Sequence, residues 1–210
     1  MAPSYLTLAT PAYEQIEVKR ARFHAQVHPA ISDSDAREII AAVRSEHADA
    51  GHHCWAMLLG ADPQTARSSD DGEPSGTAGG PILEVLRGRE LGDVVAVVSR
   101  WFGGTLLGSG GLARAYSDAV RQALATARLA RRVLTQEFAV SIDHADAGRV
   151  EHELRARGVL LLDTEYGESA HIRMVAPPEE RDDLGRTLAQ ITGGVADVRS
   201  GALTWGTVGL

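Results

Sequence analysis

Apolar and polar positions alternate between residues 16 and 27, which predicts a strand with one buried face. The phase of this alternation changes near residues 19–21, and an extra residue of this kind indicates a β-bulge. Residues 32–47 instead repeat their apolar positions at helical spacing, with Ser32 placed to accept a hydrogen bond from the first turn. The predicted apolar face of this helix consists of Ala36, Ile39, Ile40 and Val43.

Four further elements are predicted in the first part of the chain. Residues 52–60 form a short buried strand, and residues 81–88 form a short helix that begins with Pro81. Residues 93–102 are almost continuously apolar, which indicates a strand with both faces covered. A long amphipathic helix follows at 109–129. Its apolar stripe comprises Leu112, Tyr116, Val120, Ala123, Leu124 and Ala127.

The pattern changes near residues 128–136, beyond which short strands and helices alternate. We therefore expect two domains, 1–130 and 131–210. The predicted elements of the second are strand 136–142, helix 146–157, strands 159–165 and 169–176, helix 178–191 and strand 196–206. The order βαββαβ is that of a ferredoxin-like fold. The predicted fold class is therefore α+β with two domains.

Composition excludes several classes of protein. The 210 residues include 44% apolar residues, as in ordinary globular domains, and no apolar run long enough to span a bilayer. The start of the sequence lacks the pattern of a signal peptide, and the single cysteine forms no internal disulfide, so we expect a cytoplasmic protein. The formal net charge of −7 lacks the basic excess of a free nucleic-acid binder and argues against strong nonspecific RNA affinity, and we expect neither a DNA nor a membrane partner.

Two glycine-rich segments, 75–80 and 102–111, come directly before predicted helices. Free backbone amides at the start of a helix attract anions, and glycine allows a ligand to approach the backbone closely. Arg100 and Arg114 flank the second segment and could pair with a phosphate. Tight turns and close helix–sheet packing explain the same glycines without a ligand.

Three acidic residues, Asp70, Asp71 and Glu73, precede the first glycine segment. They are compatible with a turn stabilised by ion pairs to Arg100 or Arg114, with a surface that recognises a partner, or with Mg²⁺ binding and acid–base catalysis. The sequence leaves these alternatives open. Together with the glycine segments they define a candidate binding surface: Asp70, Asp71, Glu73, Ser75, Thr77, Gly79, Arg100, Gly103, Gly104, Gly108, Ser109, Gly110, Gly111 and Arg114.

The strand at 52–60 begins with His52, His53 and Cys54. Side chains alternate along a strand, so His52 and Cys54 should share one face and His53 the other. Two ligands without a second pair are a weak zinc signal, and a buried cysteine usually behaves as a small apolar residue. No metal, cofactor or catalytic residue is therefore assigned.

Several of these segments together resemble a known family. Residues 69–86, "SDDGEPSGTAGGPILEVL", and residues 91–120, "LGDVVAVVSRWFGGTLLGSGGLARAYSDAV", resemble the signature of the IMPACT/YigZ family. The segments "IEVKRARFHA" and "HHCWAM" also fit. The chain departs from the family pattern at His53, where asparagine is usual, at Gly80, where lysine or arginine is common, and at Trp101, where tyrosine is common.

This resemblance implies an N-terminal α/β sandwich like the second domain of a small-subunit ribosomal protein. It also implies a ferredoxin-like C-terminal domain similar to the last domain of elongation factor G. Eukaryotic relatives regulate translation and associate with ribosomes. The expected function is therefore a non-enzymatic, translation-associated regulator that binds ribosome, RNA or a translation factor through the glycine segments.

Two alternatives stay open. The first is a protein-interaction module in which the acidic segment contacts a basic partner. The second is a nucleotide- or phosphate-binding enzyme, because residues 106–115 are faintly similar to the phosphate loop of small-molecule kinases that share the N-terminal fold.

Overall fold

A computed structural model describes residues 3–61, 65–194 and 197–209. These residues divide into two compact units, Tyr5–Arg131 and Arg132–Val208, and residues 3–4 group with the second unit. The first unit contains β1 (Ser4–Leu8), β2 (Ala12–Val18), β3 (Ala21–Pro29), α1 (Asp33–Glu46), β4 (His52–Leu58), β5 (Ala66–Ser69), α2 (Gly79–Gly88), β6 (Val94–Trp101) and α3 (Gly108–Ala125). The second contains β7 (Leu129–Ile142), α4 (His144–Ala156), β8 (Leu160–Tyr166), β9 (Ala170–Ala176), α5 (Arg181–Thr192) and β10 (Val198–Gly209).

The central sheet of the first unit has the strand order β2-β3-β6-β4-β5, and its neighbouring strands are antiparallel. Strand β6 lies in the middle, and its side chains are buried on both faces. Val94, Ala96 and Val98 belong to the core under α2 and α3, whereas Val95 and Val97 pack with α1. Helices on both faces make this unit an α/β sandwich, and the prediction from the apolar run at 93–102 is confirmed.

The predicted bulge in the first strand was wrong. The chain reverses direction there, because Val18 pairs with Ala21 across a two-residue turn. The turn residues Lys19 and Arg20 have φ values of 48° and 70°. Two successive positive φ angles characterise a type I′ turn, which matches the twist of the strands that it joins. The sequence did not reveal it because such turns usually contain Asn-Gly rather than Lys-Arg.

We expect Arg20→Gly to raise the free energy of unfolding by about 0.5–1 kcal/mol, because glycine occupies the left-handed region without a Cβ penalty. Urea denaturation measures this change. Arg22→Gly is the matched control: Arg22 lies in β3 opposite Glu17, so glycine at this strand position should destabilise instead. A loss of stability in Arg20→Gly would contradict the strain assigned to the turn.

The second unit has the predicted βαββαβ order. In its sheet β7 pairs with β9 and β9 pairs with β8, and β10 also pairs with β7. This places β10, β7, β9 and β8 in the ferredoxin-like arrangement, which confirms the prediction. One face carries the core, which includes Phe138, Val140, Ile172 and Met174 from the strands and Val150, Leu154, Leu184 and Leu188 from the helices.

Element boundaries differ from the predictions in a few places. Ser32 caps α1 as expected, since its side chain accepts a hydrogen bond from the amide of Asp35 at 3.1 Å. Helix α2 begins at Gly79, before Pro81. A 3-10 turn at Pro178–Glu180 precedes α5. Among the described helices, none has the length and apolar character needed to cross a membrane.

Candidate functional site

The first glycine segment wraps around the side chain of Asp70. One carboxylate oxygen accepts hydrogen bonds from the amides of Ala78 at 2.9 Å and Gly79 at 2.8 Å, and the other accepts from Gly76 at 2.8 Å. Burial alone would raise the pKa of Asp70, but these backbone hydrogen bonds hold it below its usual range. The amides that sequence analysis offered to an external anion at these three positions are therefore occupied by a carboxylate of the chain itself.

Gly79 lies directly against the preceding strand. A Cβ atom at this position would come within 2.8 Å of the backbone of Ser69. Only glycine permits this approach, so Gly79 has a packing role at the junction of β5 and α2. Gly80 has open space around it, so packing does not require glycine at this position.

The carboxylate of Asp71 joins the acidic turn to α1 and β4. Asp71 forms an ion pair with Arg44 and accepts a hydrogen bond from the amide of His53 at 2.7 Å. Its carbonyl oxygen lies 2.9 Å from Nδ1 of His52. Asp71 itself has a φ of 43°. These bonds offset the cost of the left-handed backbone and fix the turn against the sheet.

Glu73 is the buried acid of the segment. Its Oε1 atom accepts hydrogen bonds from Arg100 at 2.7 Å and from the Tyr116 hydroxyl at 2.7 Å. The Arg100 side chain is only 7% exposed and that of Glu73 only 3%. This buried ion pair ties the turn to β6 and α3, although Nε of Arg100 is buried with no hydrogen-bond partner among the described residues.

Cys54 completes this buried network. Its sulfur lies 3.0 Å from the carbonyl oxygen of Asp70 and 3.3 Å from the Tyr116 hydroxyl. Burial raises the pKa of the Cys54 thiol to about 12, and burial likewise raises the pKa of Tyr116. Cys54 is therefore a protonated thiol at neutral pH and is a poor nucleophile.

The guanidinium of Arg100 also contacts two aromatic rings. Its central carbon lies 5.7 Å from the ring centre of buried Phe23 and 5.7 Å from that of Phe102. Phe102 is 60% exposed and begins the second glycine segment. The buried ion pair and the second segment are therefore adjacent.

The second glycine segment is held by one close backbone contact. A Cβ atom on Gly103 would lie 2.1 Å from the backbone of Arg20, so only glycine allows the segment to rest on the β2–β3 turn. Gly104 and Gly108 have φ values of 85° and 70°. Helix α3 then begins at Gly108, with Leu107 in the capping position.

The start of α3 differs from the first segment in having no internal anion. No side chain caps it, and no acidic residue lies in its first turn. Ser109 and Gly110 are exposed. The first amides of an 18-residue helix and the positive end of its dipole therefore face solvent.

Two cations line a cavity of about 440 Å³ beside this helix start, Lys19 and Arg114. Its other lining residues are Val18, Leu107, Gly110, Gly111, Ala115 and Asp118. Within the described part of the chain, Arg114 has no hydrogen-bond or ion-pair partner. We call the surface formed by Lys19, Arg20 and residues 102–114 the cationic loop surface.

The structure thus divides the residues of the candidate surface into two groups. Asp70, Asp71, Glu73 and Arg100 form a largely internal network that also fixes Gly79. Arg100 pairs with Glu73 as expected, whereas Arg114 pairs with none of the three acids. The Thr77 hydroxyl donates to the carbonyl of Pro74, and Ser75 is exposed. Gly103, Gly104, Gly108, Ser109, Gly110, Gly111 and Arg114 lie on the cationic loop surface.

Sequence reasoning missed two members of the network. Tyr116 was assigned to the apolar stripe of α3, yet its hydroxyl is bonded to Glu73. Arg44 lies in the last turn of α1 and gave no signal of its pairing with Asp71. For Tyr116 a signal existed, since a buried phenol needs a polar partner.

The prediction that His52 and Cys54 share one face of the strand and His53 lies on the other is confirmed. His52 and Cys54 both reach the acidic turn, whereas Nδ1 of His53 lies 2.9 Å from the hydroxyl of Ser99. Burial lowers the pKa of His53. Among the described residues, no three His, Cys, Asp or Glu side chains are grouped so as to hold a metal ion.

Comparison with known proteins agrees with this architecture. The sequence model of the Impact N-terminal domain matches residues 19–124, and that of a domain of unknown function, DUF1949, matches residues 140–195. The chain belongs to the IMPACT family. The two matched segments fall within the first and second structural units respectively.

Bacterial members of the IMPACT family match along nearly the whole chain. IMPACT family member YvyE of Bacillus subtilis is 35% identical over 98% of this chain and 94% of its own length. IMPACT family member YigZ of Escherichia coli is 34% identical over 91% of this chain and 95% of its own length. A crystal structure of a hypothetical protein, 34% identical, covers 94% of this chain and 97% of its own with a TM-score of 0.70.

Mammalian relatives share a smaller part. Protein IMPACT of Rattus norvegicus is 34% identical over 95 residues, which are 43% of this chain and 29% of the rat protein. The chain therefore spans less than a third of that relative, whereas it matches its bacterial relatives over most of their length.

Proposed function

We propose that this IMPACT-family chain is a non-enzymatic, translation-associated regulator that binds RNA, as bare RNA or within the ribosome, through the cationic loop surface. The single observation that carries the proposal is the uncapped start of α3 beside Lys19 and Arg114. Backbone amides, a helix dipole and two cations there attract the phosphates of a nucleic acid.

The contrast between the two glycine segments supports this choice. In the first, Asp70 occupies the amides that precede and begin α2. In the second, no side chain among the described residues caps the start of α3. A chain with a net charge of −7 therefore has cations and free amides concentrated at one surface.

Apolar side chains extend the same surface. Phe102 is 60% exposed and Leu106 is 83% exposed, although both are large and apolar. An exposed aromatic ring beside cations suits stacking on an unpaired base, which is how proteins usually read single-stranded RNA. The translation-related role is supported by membership of the IMPACT family, which the resemblance associates with translation regulation.

The acidic segment is a poorer candidate for a contact surface. Glu73 is buried, Asp70 is bonded to three amides, and Asp71 is paired with Arg44. A basic partner would have to break these bonds before it gained any of its own. The carboxylates are better explained as supports of the loop.

The proposal predicts a local effect of charge reversal. We expect Arg114→Glu to weaken binding of a labelled single-stranded RNA, and co-sedimentation with ribosomes at low salt, about tenfold or more. Arg121→Glu makes the same charge change on the same helix at an exposed residue that pairs with Asp118, and should change binding much less. Fluorescence anisotropy at several salt concentrations measures both.

Equal weakening in both variants would show that only the net charge matters. Absence of binding by the wild-type chain to RNA and to ribosomes at low salt would remove the proposal altogether.

A further inference from the structure

Within the described residues of the second unit, helices pack on only one face of the sheet. Helices α4 and α5 pack on the face formed by residues such as Phe138 and Met174. The strand register places nine residues on the opposite face, in three rows that each take one residue from β7, β9 and β8. These rows are Ser141–His171–Glu165, Ala139–Arg173–Asp163 and Glu137–Val175–Leu160. We call these nine residues and Leu162 the open face.

The open face carries more carboxylates than cations. Its acids are Glu137, Asp163 and Glu165, and its only arginine or lysine is Arg173. Arg173 donates to Glu137 at 2.7 Å and to Asp163 at 2.9 Å. Glu165 has no hydrogen-bond or ion-pair partner in the described part of the chain. The single cation therefore fixes two carboxylates in place and leaves the face negative.

Apolar side chains lie beside these acids. Leu160 is 63% exposed and Leu162 is 46% exposed. Leu162 is the additional residue of a β-bulge, because the register with β9 shifts between Leu161 and Asp163. Strand β8 is also the last strand in the sheet order. Strand β8 thus combines exposed leucines with the carboxylates of Asp163, which Arg173 holds, and Glu165.

We propose that the open face, along the edge strand β8, docks an extended basic segment of a partner protein. Its cations would meet Glu165 and the Oδ1 atom of Asp163, since Arg173 bonds only to Oδ2 of that carboxylate. Its apolar side chains would cover Leu160 and Leu162. Charge complementarity selects this occupant, since three carboxylates against one arginine leave the open face negative, and a negative face attracts a basic partner and repels an acidic one. Asp163 is already held by Arg173 and does not have to be ordered on binding, which reduces the entropic cost.

The same charges make RNA a poor occupant. Sheet faces that bind RNA present aromatic rings for stacking and cations for phosphates. The three rows contain neither Phe, Tyr nor Trp, and their one arginine is already bonded to two carboxylates. This inference does not depend on the cationic loop surface, and either can fail without the other.

The test uses the full chain and a fluorescein-labelled dodecapeptide of alternating arginine and valine. We expect saturable binding in low salt by fluorescence anisotropy, weakened about tenfold by the double change Asp163→Asn and Glu165→Gln. The control is Asp182→Asn with Asp183→Asn, which removes two exposed acids from α5 of the same unit. It should change the affinity less than about twofold.

Equal loss in the two double variants would overturn the proposal, because net charge alone would then explain binding. Absence of wild-type binding, or displacement of the peptide by oligouridine RNA, would also overturn it. If the open-face double variant fails to fold by circular dichroism, Glu165→Gln alone decides, since this side chain supports no internal bond. It should weaken binding at least threefold while thermal unfolding stays unchanged.

Discussion

Replacement of Glu73 by leucine is expected to lower the free energy of unfolding by about 3–5 kcal/mol. Leucine removes the partner of Arg100, whose side chain is only 7% exposed, and leaves a positive charge buried without compensation. It also removes the acceptor of the Tyr116 hydroxyl. Both groups lost access to water on folding, so neither can recover its hydrogen bond from solvent.

Urea denaturation followed by circular dichroism measures this effect. Glu84→Leu is the matched control, because Glu84 forms a similar ion pair with Arg87 but is 71% exposed. An exposed pair of this kind contributes about 0.5 kcal/mol or less. The double change Glu73→Leu with Arg100→Met should recover much of the loss, since no buried charge is then left unpaired.

A Glu73→Leu effect as small as that of Glu84→Leu would contradict the buried network. If a destabilised but folded Glu73 variant still bound RNA fully, the buried network would have no direct effect on binding at the cationic loop surface. Loss of binding in proportion to unfolding would be the expected result of a purely structural role.

Sequence patterns predicted the elements correctly where buried residues recur at the regular spacing of a strand or helix. The run at 93–102 predicted a strand covered on both faces because a central strand between two helical layers has no polar side. The second unit was predicted from the alternation of Phe138, Val140 and Ile142 and from the helices between the strands. In both places local pattern and tertiary packing require the same residues.

The elements that were missed have no such period. Strand β5 is four residues long, lies at the edge of the sheet and reads "ARSS". It is fixed by pairing with β4 and by the approach of Gly79, both of which are non-local. The turn at Lys19 and Arg20 is likewise imposed by the pairing of its strands, against the preference of both residues.

In the acidic segment, the sequence did not reveal which partner each carboxylate binds. Its composition suggested ion pairs with Arg100 or Arg114 as one of several alternatives, and the structure shows the pair with Arg100. It did not distinguish Asp70 from Asp71 and Glu73, although each has a different partner. That assignment depends on which way each side chain points, which the positive φ of Asp71 and Gly72 determines.

Asp70→Ala is expected to lower the free energy of unfolding by about 2–3 kcal/mol, because one carboxylate accepts three backbone hydrogen bonds. Asp70→Asn should cost less. Its amide oxygen can replace the oxygen that accepts from Ala78 and Gly79, but its NH₂ group would face the amide of Gly76, where a carboxylate oxygen accepts at present.

The two variants should also differ from the wild type in pH dependence. The folded pKa of Asp70 is lowered, so its contribution to stability is complete above the unfolded pKa of about 3.9 and is lost as the pH falls through the folded pKa. Neither variant titrates at this position. The difference in unfolding free energy between wild type and Asp70→Ala should therefore be largest near neutral pH and should shrink below about pH 4.

Urea denaturation at a series of pH values tests this, with Asp182→Ala as an exposed control on α5 that should follow the wild-type curve. A constant difference between wild type and Asp70→Ala across the acidic range would mean that the carboxylate charge does not stabilise the loop. A difference that closes in acid would identify Asp70 as the internal anion of the first glycine segment. The uncapped start of α3 would then be the place where the same chemistry is left available to a ligand.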